Sequence, residues 1–223
     1  MTSPKNRALD WDAAGQIAPG TSDEPLVPTS TCAHWITWPV YFKNGLDGAL
    51  AEVLVRESVY DRLLKASQNL PEGYQLVLLD GWRSKEVQNT LFHTIRQQVI
   101  ADHPKLKPNE IERLTLQFAS RPSDDPLRPS PHITGGSVDV TLADPDGQFL
   151  DMGSQFDEPS ERSWTLAQVE PHHMERRHVL LQAMTTAGFT NLPSEWWHFD
   201  YGNWVWAWYS QETKAIFGPT DAA

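Results

Sequence analysis

The sequence predicts an α+β fold: one compact domain with a central antiparallel or mixed sheet packed against helices. Three observations carry this. Stretches with helical spacing of apolar residues lie before and between stretches that read as strands. The two kinds do not alternate in regular βαβ units, so an all-parallel sheet is not expected. The chain has 223 residues, enough for one domain with a substantial core.

Residues 1–30 are rich in Pro, Ser, Thr, Asp and Gly and lack periodicity, so an extended or partly disordered arm is expected there, followed by one folded domain over 31–223. Residues 46–68 read as a helix, from Leu46, Leu50, Val53 and Leu54 and then Tyr60, Leu63 and Leu64. Pro71-Glu-Gly73 breaks it, and Tyr74 to Asp80 reads as a buried strand. Val87, Leu91, Ile95 and Val99 recur every four residues in a helix over 85–99, with Ser84 as its N-cap. A short helix is expected from Pro108 to Phe118, then a Pro- and Ser-rich loop over 120–131. From Gly136 to Leu142 polar and aliphatic residues alternate, placing Ser137, Asp139 and Thr141 on one strand face. Asp144-Pro-Asp-Gly147 is a turn signal. Glu170 to Ala187 reads as a helix stopped by Gly188, and the aromatics of 196–208 suggest a hairpin around Tyr201-Gly-Asn203.

The net charge of −11 argues against nucleic acid, whose phosphates require clustered Lys and Arg. No apolar run is long enough to span a membrane, and the N-terminus shows no apolar leader core, so a cytoplasmic location is expected. The single cysteine, Cys32, forbids an intrachain disulfide, and packing is its expected role.

The chemistry lies in two segments. Ser130-Pro-His132-Ile-Thr-Gly-Gly-Ser-Val-Asp139 and Glu195-Trp-Trp-His198 together offer two histidines and carboxylates. Two His and one Asp form a three-ligand set for zinc that leaves a position open for water or substrate. The remaining Glu195 is the kind of group that moves a proton. Residues three apart in a strand face opposite sides, so Glu195 and His198 can share a site only if Glu195 sits in the Pro193-Ser194 turn. Arg83, at the end of the buried strand, either meets oxyanion charge or is an exposed or carboxylate-paired arginine. Asp157 either holds an ammonium group or forms a turn. His172-His-Met-Glu-Arg-Arg-His178 lacks the His-Glu-x-x-His spacing and reads as polar helix surface.

In combination, Asp80-Gly-Trp-Arg83, Ser130-x-His132-x-x-Gly135-x-Ser137-x-Asp139, Met152-Gly-x-x-Phe156-Asp157 and Glu195-Trp-Trp-His198 resemble the D-alanyl-D-alanine dipeptidases, a branch of the zinc peptidases that include D,D-carboxypeptidases. The resemblance covers roughly residues 45–200. It implies one Zn²⁺ per chain on His132, Asp139 and His198, with Glu195 as catalytic base and Arg83 stabilising the tetrahedral intermediate. It further implies that Asp157 holds the amino group of a D,D-dipeptide and that Ser130 helps position it. The implied activity is hydrolysis of D-Ala-D-Ala to two D-alanines, in cell-wall peptide turnover or glycopeptide resistance. A D,D-carboxypeptidase or peptidoglycan endopeptidase is the alternative within the group, and a non-catalytic metal-bearing binding module the alternative outside it. Trp82, Ser84, Pro131 and Ile133-Thr-Gly-Gly136 depart from the family's commoner residues, and none of them removes a ligand.

Overall fold

The structure is a computed structural model that describes residues 9–123, 125 and 128–222. Residues 1–8 of the expected arm and 124, 126 and 127 of the expected Pro- and Ser-rich loop lie outside the described residues. The elements run α1 (Trp11–Ala14), β1 (Leu26–Pro28), β2 (Trp35–Thr37), α2 (Val40–Lys43), β3 (Leu54–Arg56), α3 (Glu57–Gln68), β4 (Gln75–Asp80), α4 (Lys85–Asp102) and α5 (Pro108–Thr115). Then follow β5 (Ser137–Ala143), α6 (Pro171–Thr186), β6 (Thr190–Asn191), β7 (His198–Asp200) and α7 (Trp204–Ser210).

Five strands form one mixed sheet in the order β2-β4-β5-β7-β6. Only β2 and β4 run parallel, as the α3 crossover between them requires. A separate pair, β1 with β3, is antiparallel. The chain is an α+β domain, as the segment pattern predicts.

The sheet is covered on both faces, which is why every residue of β5 is buried. Leu76, Leu78, Val138, Val140, Leu142 and Phe199 meet α3 and α6 through Val59, Leu63, Leu180 and Met184 in the main core. On the other face Val77, Leu79 and Ala143 pack with Ile36, Val40 and Phe156. Helices α4 and α5 build a small core of their own from Ile95, Val99, Ile111 and Phe118.

Two expected elements are corrected. The helix expected over 46–68 begins only at Glu57. Upstream, Gly45 and Gly48 adopt positive φ (74° and 79°), which breaks a helix, and Leu54–Arg56 instead pairs with Leu26–Pro28. A long-range partner thus overrode the local spacing, and Glu24 reaches in from the N-terminal segment to accept the Ser58 N–H at 3.0 Å. The hairpin expected around 201–203 is also absent. After β7, Gly202 turns the chain at φ 74°, and the Asn203 side chain accepts the Trp206 N–H at 2.9 Å, starting α7. Aromatic richness suggested strand there; the N-cap and the spacing of Trp204, Ala207 and Trp208 were the better guide.

Other signals hold. Ser84 caps α4, its Oγ accepting the Val87 N–H at 3.2 Å. Ser84→Ala should cost about 1 kcal/mol and lower Tm by roughly 2–4 °C, measured by thermal unfolding; an unchanged Tm would show that the cap contributes nothing.

Candidate metal centre

Strand register builds the centre. Asp139 of β5 lies opposite Asp80 of β4 on one side and His198 of β7 on the other. Alternation along β4 would send Asp80 to the same face as Leu76 and Leu78. The register shifts between Leu78 and Asp80, so the extra residue carries Asp80 round to the Asp139 face. His198 and Asp200 project to that face while Phe199 between them enters the main core.

His132 arrives from a 3-10 turn, Pro131–Thr134, that ends at Gly135 in the left-handed region (φ 70°). Arg56 ties this turn down, its Nε donating to the Thr134 carbonyl at 2.8 Å. A Cβ on Gly136 would lie 2.5 Å from the Tyr201 carbonyl oxygen, so the chain can pass this close to β7 only as glycine.

His132, Asp139 and His198 converge and are all buried. His132 Nε2 lies 3.2 Å from His198 Nδ1 and 3.6 Å from Asp139 Oδ2, and His198 Nδ1 lies 3.0 Å from Asp139 Oδ1. Ligands about 2 Å from a tetrahedral ion stand roughly 3.3 Å apart, so these spacings suit one small dication. The tautomers fit as well. His132 Nδ1 pairs with the Gly81 carbonyl at 2.7 Å, leaving Nε2 as a lone-pair donor. His198 turns Nε2 to Asp200 at 3.1 Å, leaving Nδ1 for the centre. Asp200 is in turn held by Ser137 Oγ at 2.7 Å and Asn203 Nδ2 at 2.6 Å. Among the described residues no other group of three His, Cys, Asp or Glu side chains converges in this way.

Burial, with Arg83 and His198 close by, pulls His132 well below its ordinary pKa, so its imidazole is neutral and ready to ligate. Burial acts the same way on His198, but Asp200 and Asp139 outweigh it and hold that imidazole well above the usual range. A dication would take the proton's place there.

Glu195 occupies the turn that its pairing with His198 demands. The His198 N–H donates to the Glu195 carbonyl at 3.3 Å, and Asn191 Nδ2 donates to both the Glu195 and His198 carbonyls at 3.0 Å. Glu195 Oε2 then lies 3.8 Å from His198 Nδ1. Burial pushes its carboxyl up to about 8, opposed by His198 and assisted by Asp139 and Asp157.

Arg83 and Asp157 meet through Tyr41. The Tyr41 hydroxyl donates to Asp157 Oδ2 at 2.7 Å and accepts from Arg83 Nη1 at 3.1 Å. Arg83 Nη1 also lies 3.4 Å from Asp80 Oδ2. Burial works against the Arg83 charge, but Tyr41, Asp80, Asp139 and Asp157 more than offset it and raise its pKa. Asp157 sits in the left-handed region (φ 58°), and burial, then Asp139, lift its carboxyl to about 6.

These residues open onto one cavity of about 300 Å³, lined by Tyr41, Arg83, Asp157 and Glu195 together with the three converging side chains. Ser130 is not brought to it: its Oγ donates to the Arg121 carbonyl at 3.2 Å and lines a neighbouring cavity beyond Pro131. His173 corrects the reading of its segment as polar surface. It is buried, with Nε2 3.2 Å from Asp151 Oδ2, while His178 is exposed.

Tyr41, Asp80 and Asp200 escaped the sequence reading. Asp200 carried a signal, since it lies two residues beyond His198 and therefore on the same strand face. Asp80 opens a segment read only for its arginine. Tyr41 had none, being 42 residues from Arg83 and 116 from Asp157.

Residues 33–215 match the model of a family described as D-ala-D-ala dipeptidase. A D-alanyl-D-alanine dipeptidase of Synechocystis is 34% identical over 177 residues, covering 70% of this chain and 72% of that protein. One from Escherichia coli K12 is 35% identical over 129 residues, covering 57% and 55% respectively. One from Enterococcus faecalis V583 is 29% identical over 182 residues, covering 79% and 88%. The chain belongs to the D-ala-D-ala dipeptidase family of metallopeptidases.

Proposed function

We propose that this chain hydrolyses the D-Ala-D-Ala dipeptide to two D-alanines, with one zinc ion per chain held by His132, Asp139 and His198. The observation that carries the reading is the convergence of a three-donor set, a buried carboxylate, a pinned guanidinium and a second carboxylate around one small cavity. Two imidazoles and a carboxylate are a common zinc donor set in hydrolases. When bound, the ion supplies Lewis acidity that polarises a carbonyl and lowers the pKa of water to about 7.

The side chains divide the rest of the work. With a dication on the neighbouring donors, the Glu195 carboxyl comes down from the value that burial alone gives it, so that its Oε accepts the proton of the attacking water as the C–O bond forms. The same proton then goes to the amine nitrogen as the tetrahedral species collapses and the C–N bond breaks. Arg83 donates to the oxygen that gains charge, and Tyr41 and Asp80 hold its guanidinium so that little reorganisation accompanies the reaction. Asp157 pairs with the substrate ammonium, so a free amino terminus is required and free dipeptides are preferred over chain ends. Cell-wall peptide turnover is the setting this chemistry suits, in the cytoplasm. Among the described residues no helix is long and apolar enough to cross a membrane.

The test is hydrolysis by zinc-loaded protein of D-Ala-D-Ala, L-Ala-L-Ala and a pentapeptide ending in D-Ala-D-Ala. Cleavage of the D,D-dipeptide alone is expected; release of terminal D-Ala from the pentapeptide would mean a D,D-carboxypeptidase, and no cleavage would mean a binding module. Asp157→Asn should raise KM for the dipeptide by roughly thirtyfold or more, since it leaves a desolvated ammonium without its counter-charge. Zinc content should be unchanged, and an unchanged KM would reject the role given to Asp157.

A further inference from the structure

The loop carrying Asp157 and the turn carrying Glu195 are joined by one guanidinium. Arg177 lies on α6, is 2% exposed, and faces the loop rather than solvent. Its Nε donates to the Met152 carbonyl at 2.6 Å and its Nη1 to the Trp164 carbonyl at 2.7 Å, so it clasps the loop near both ends. Nη2 reaches Ser154 Oγ at 3.4 Å. That hydroxyl also accepts the indole N–H of Trp196, the neighbour of Glu195, at 2.9 Å, and the guanidinium lies 5.7 Å from the Trp196 ring centroid. Two backbone bonds complete the seam: Trp196 N–H to the Ser163 carbonyl at 2.9 Å, and Thr165 N–H to the Pro193 carbonyl at 3.0 Å.

Two features single this residue out. Its hydrogen bonds go to carbonyls and a hydroxyl, with no carboxylate paired directly to it among the described residues, and where Arg56 ties down the His132 turn in the same way, Arg177 joins the segments that carry Asp157 and Glu195. The loop it clasps has only one short 3-10 turn of its own, Glu161–Ser163, yet holds Asp157 at φ 58°. Aspartate is among the few non-glycine residues that reach this region, and here its side chain is fixed by the Tyr41 hydroxyl at 2.7 Å, so the course of the loop decides where the carboxylate points.

We propose that Arg177 is a positioning residue that holds Asp157 and Glu195 in register across the cavity. The proposal rests on the roles given above to those two carboxylates.

The experiment compares KM for D-Ala-D-Ala with KI for propionyl-D-alanine, its analogue without the amino group, in the zinc-loaded protein. Both constants are independent of the folded fraction, so a variant that is merely less stable leaves their ratio where it was. Wild type should favour the amine. In Arg177→Met that preference should fall about tenfold, the scale of effect expected when a binding group is displaced by a fraction of an ångström to an ångström. Zinc content should be unchanged, and Arg177→Lys should restore part of the preference. If Arg177→Met does not fold, Ser154→Ala removes the shared acceptor instead and should shift the ratio in the same direction by about threefold. An unchanged ratio in the folded variant would overturn the proposal. A wild type with no preference for the amine would reject the role of Asp157, and the proposal with it.

Discussion

Glu195→Gln should keep its zinc and lose its turnover. The amide matches the carboxylate in size, so the turn that seats it, held through the Asn191 and His198 backbone contacts, has no reason to move. What disappears is a proton acceptor. General acid–base catalysis by a positioned group contributes on the order of 10²–10⁴ in rate, and kcat should fall within that range. No neighbour can stand in. Asp157 is engaged by the Tyr41 hydroxyl, Asp139 is one of the three converging donors, and Asp80 lies beside Arg83 and His132 Nδ1. Metal analysis and steady-state kinetics on the same sample check both halves. A kcat within tenfold of wild type would remove Glu195 from the proton path, and loss of zinc would make it a ligand instead.

The features of this site that could be read from sequence are those that short segments encode. His132 to Asp139 and Glu195 to His198 are each local, and the demand that Glu195 sit in a turn came from strand alternation alone. Helices α4, α5 and α6 and the strand at Ser137–Ala143 followed from periodicity and their caps or stops. The missed features depend on pairing at long range. Leu54–Arg56 became strand because Leu26–Pro28 lay beside it, and Asp80 joined the site because the β4–β5 register slips by one residue. Tyr41 bridges Arg83 and Asp157 from a helix of four residues with no motif of its own. Ser130 shows the converse: adjacency in sequence to His132 and Pro131 did not carry its hydroxyl into the cavity, because the Arg121 carbonyl captures it.

Removing the metal should cost stability as well as activity, and His132→Ala should make that cost vanish. The centre gathers Asp80, Asp139, Asp157, Glu195 and Asp200 around a few cationic groups, with Asp139 and Asp200 almost wholly buried. A bound dication offsets that repulsion, and only the folded chain presents the three donors together. At a free zinc concentration about a thousandfold above Kd, linkage alone gives roughly 4 kcal/mol. For a chain of this size that corresponds to a Tm lowered by about 8–16 °C on chelation. Without the His132 imidazole the Gly81 carbonyl loses its partner and the donor set falls to two. Such a variant should hold no stoichiometric zinc, show the background activity of chelated wild type, and give the same Tm with and without chelator. A separate loss from the emptied space would lower both of those temperatures equally, so the difference between them isolates the ligand role. If the chelator still lowers the Tm of His132→Ala by the wild-type amount, the ion is held elsewhere and His132 is not its ligand.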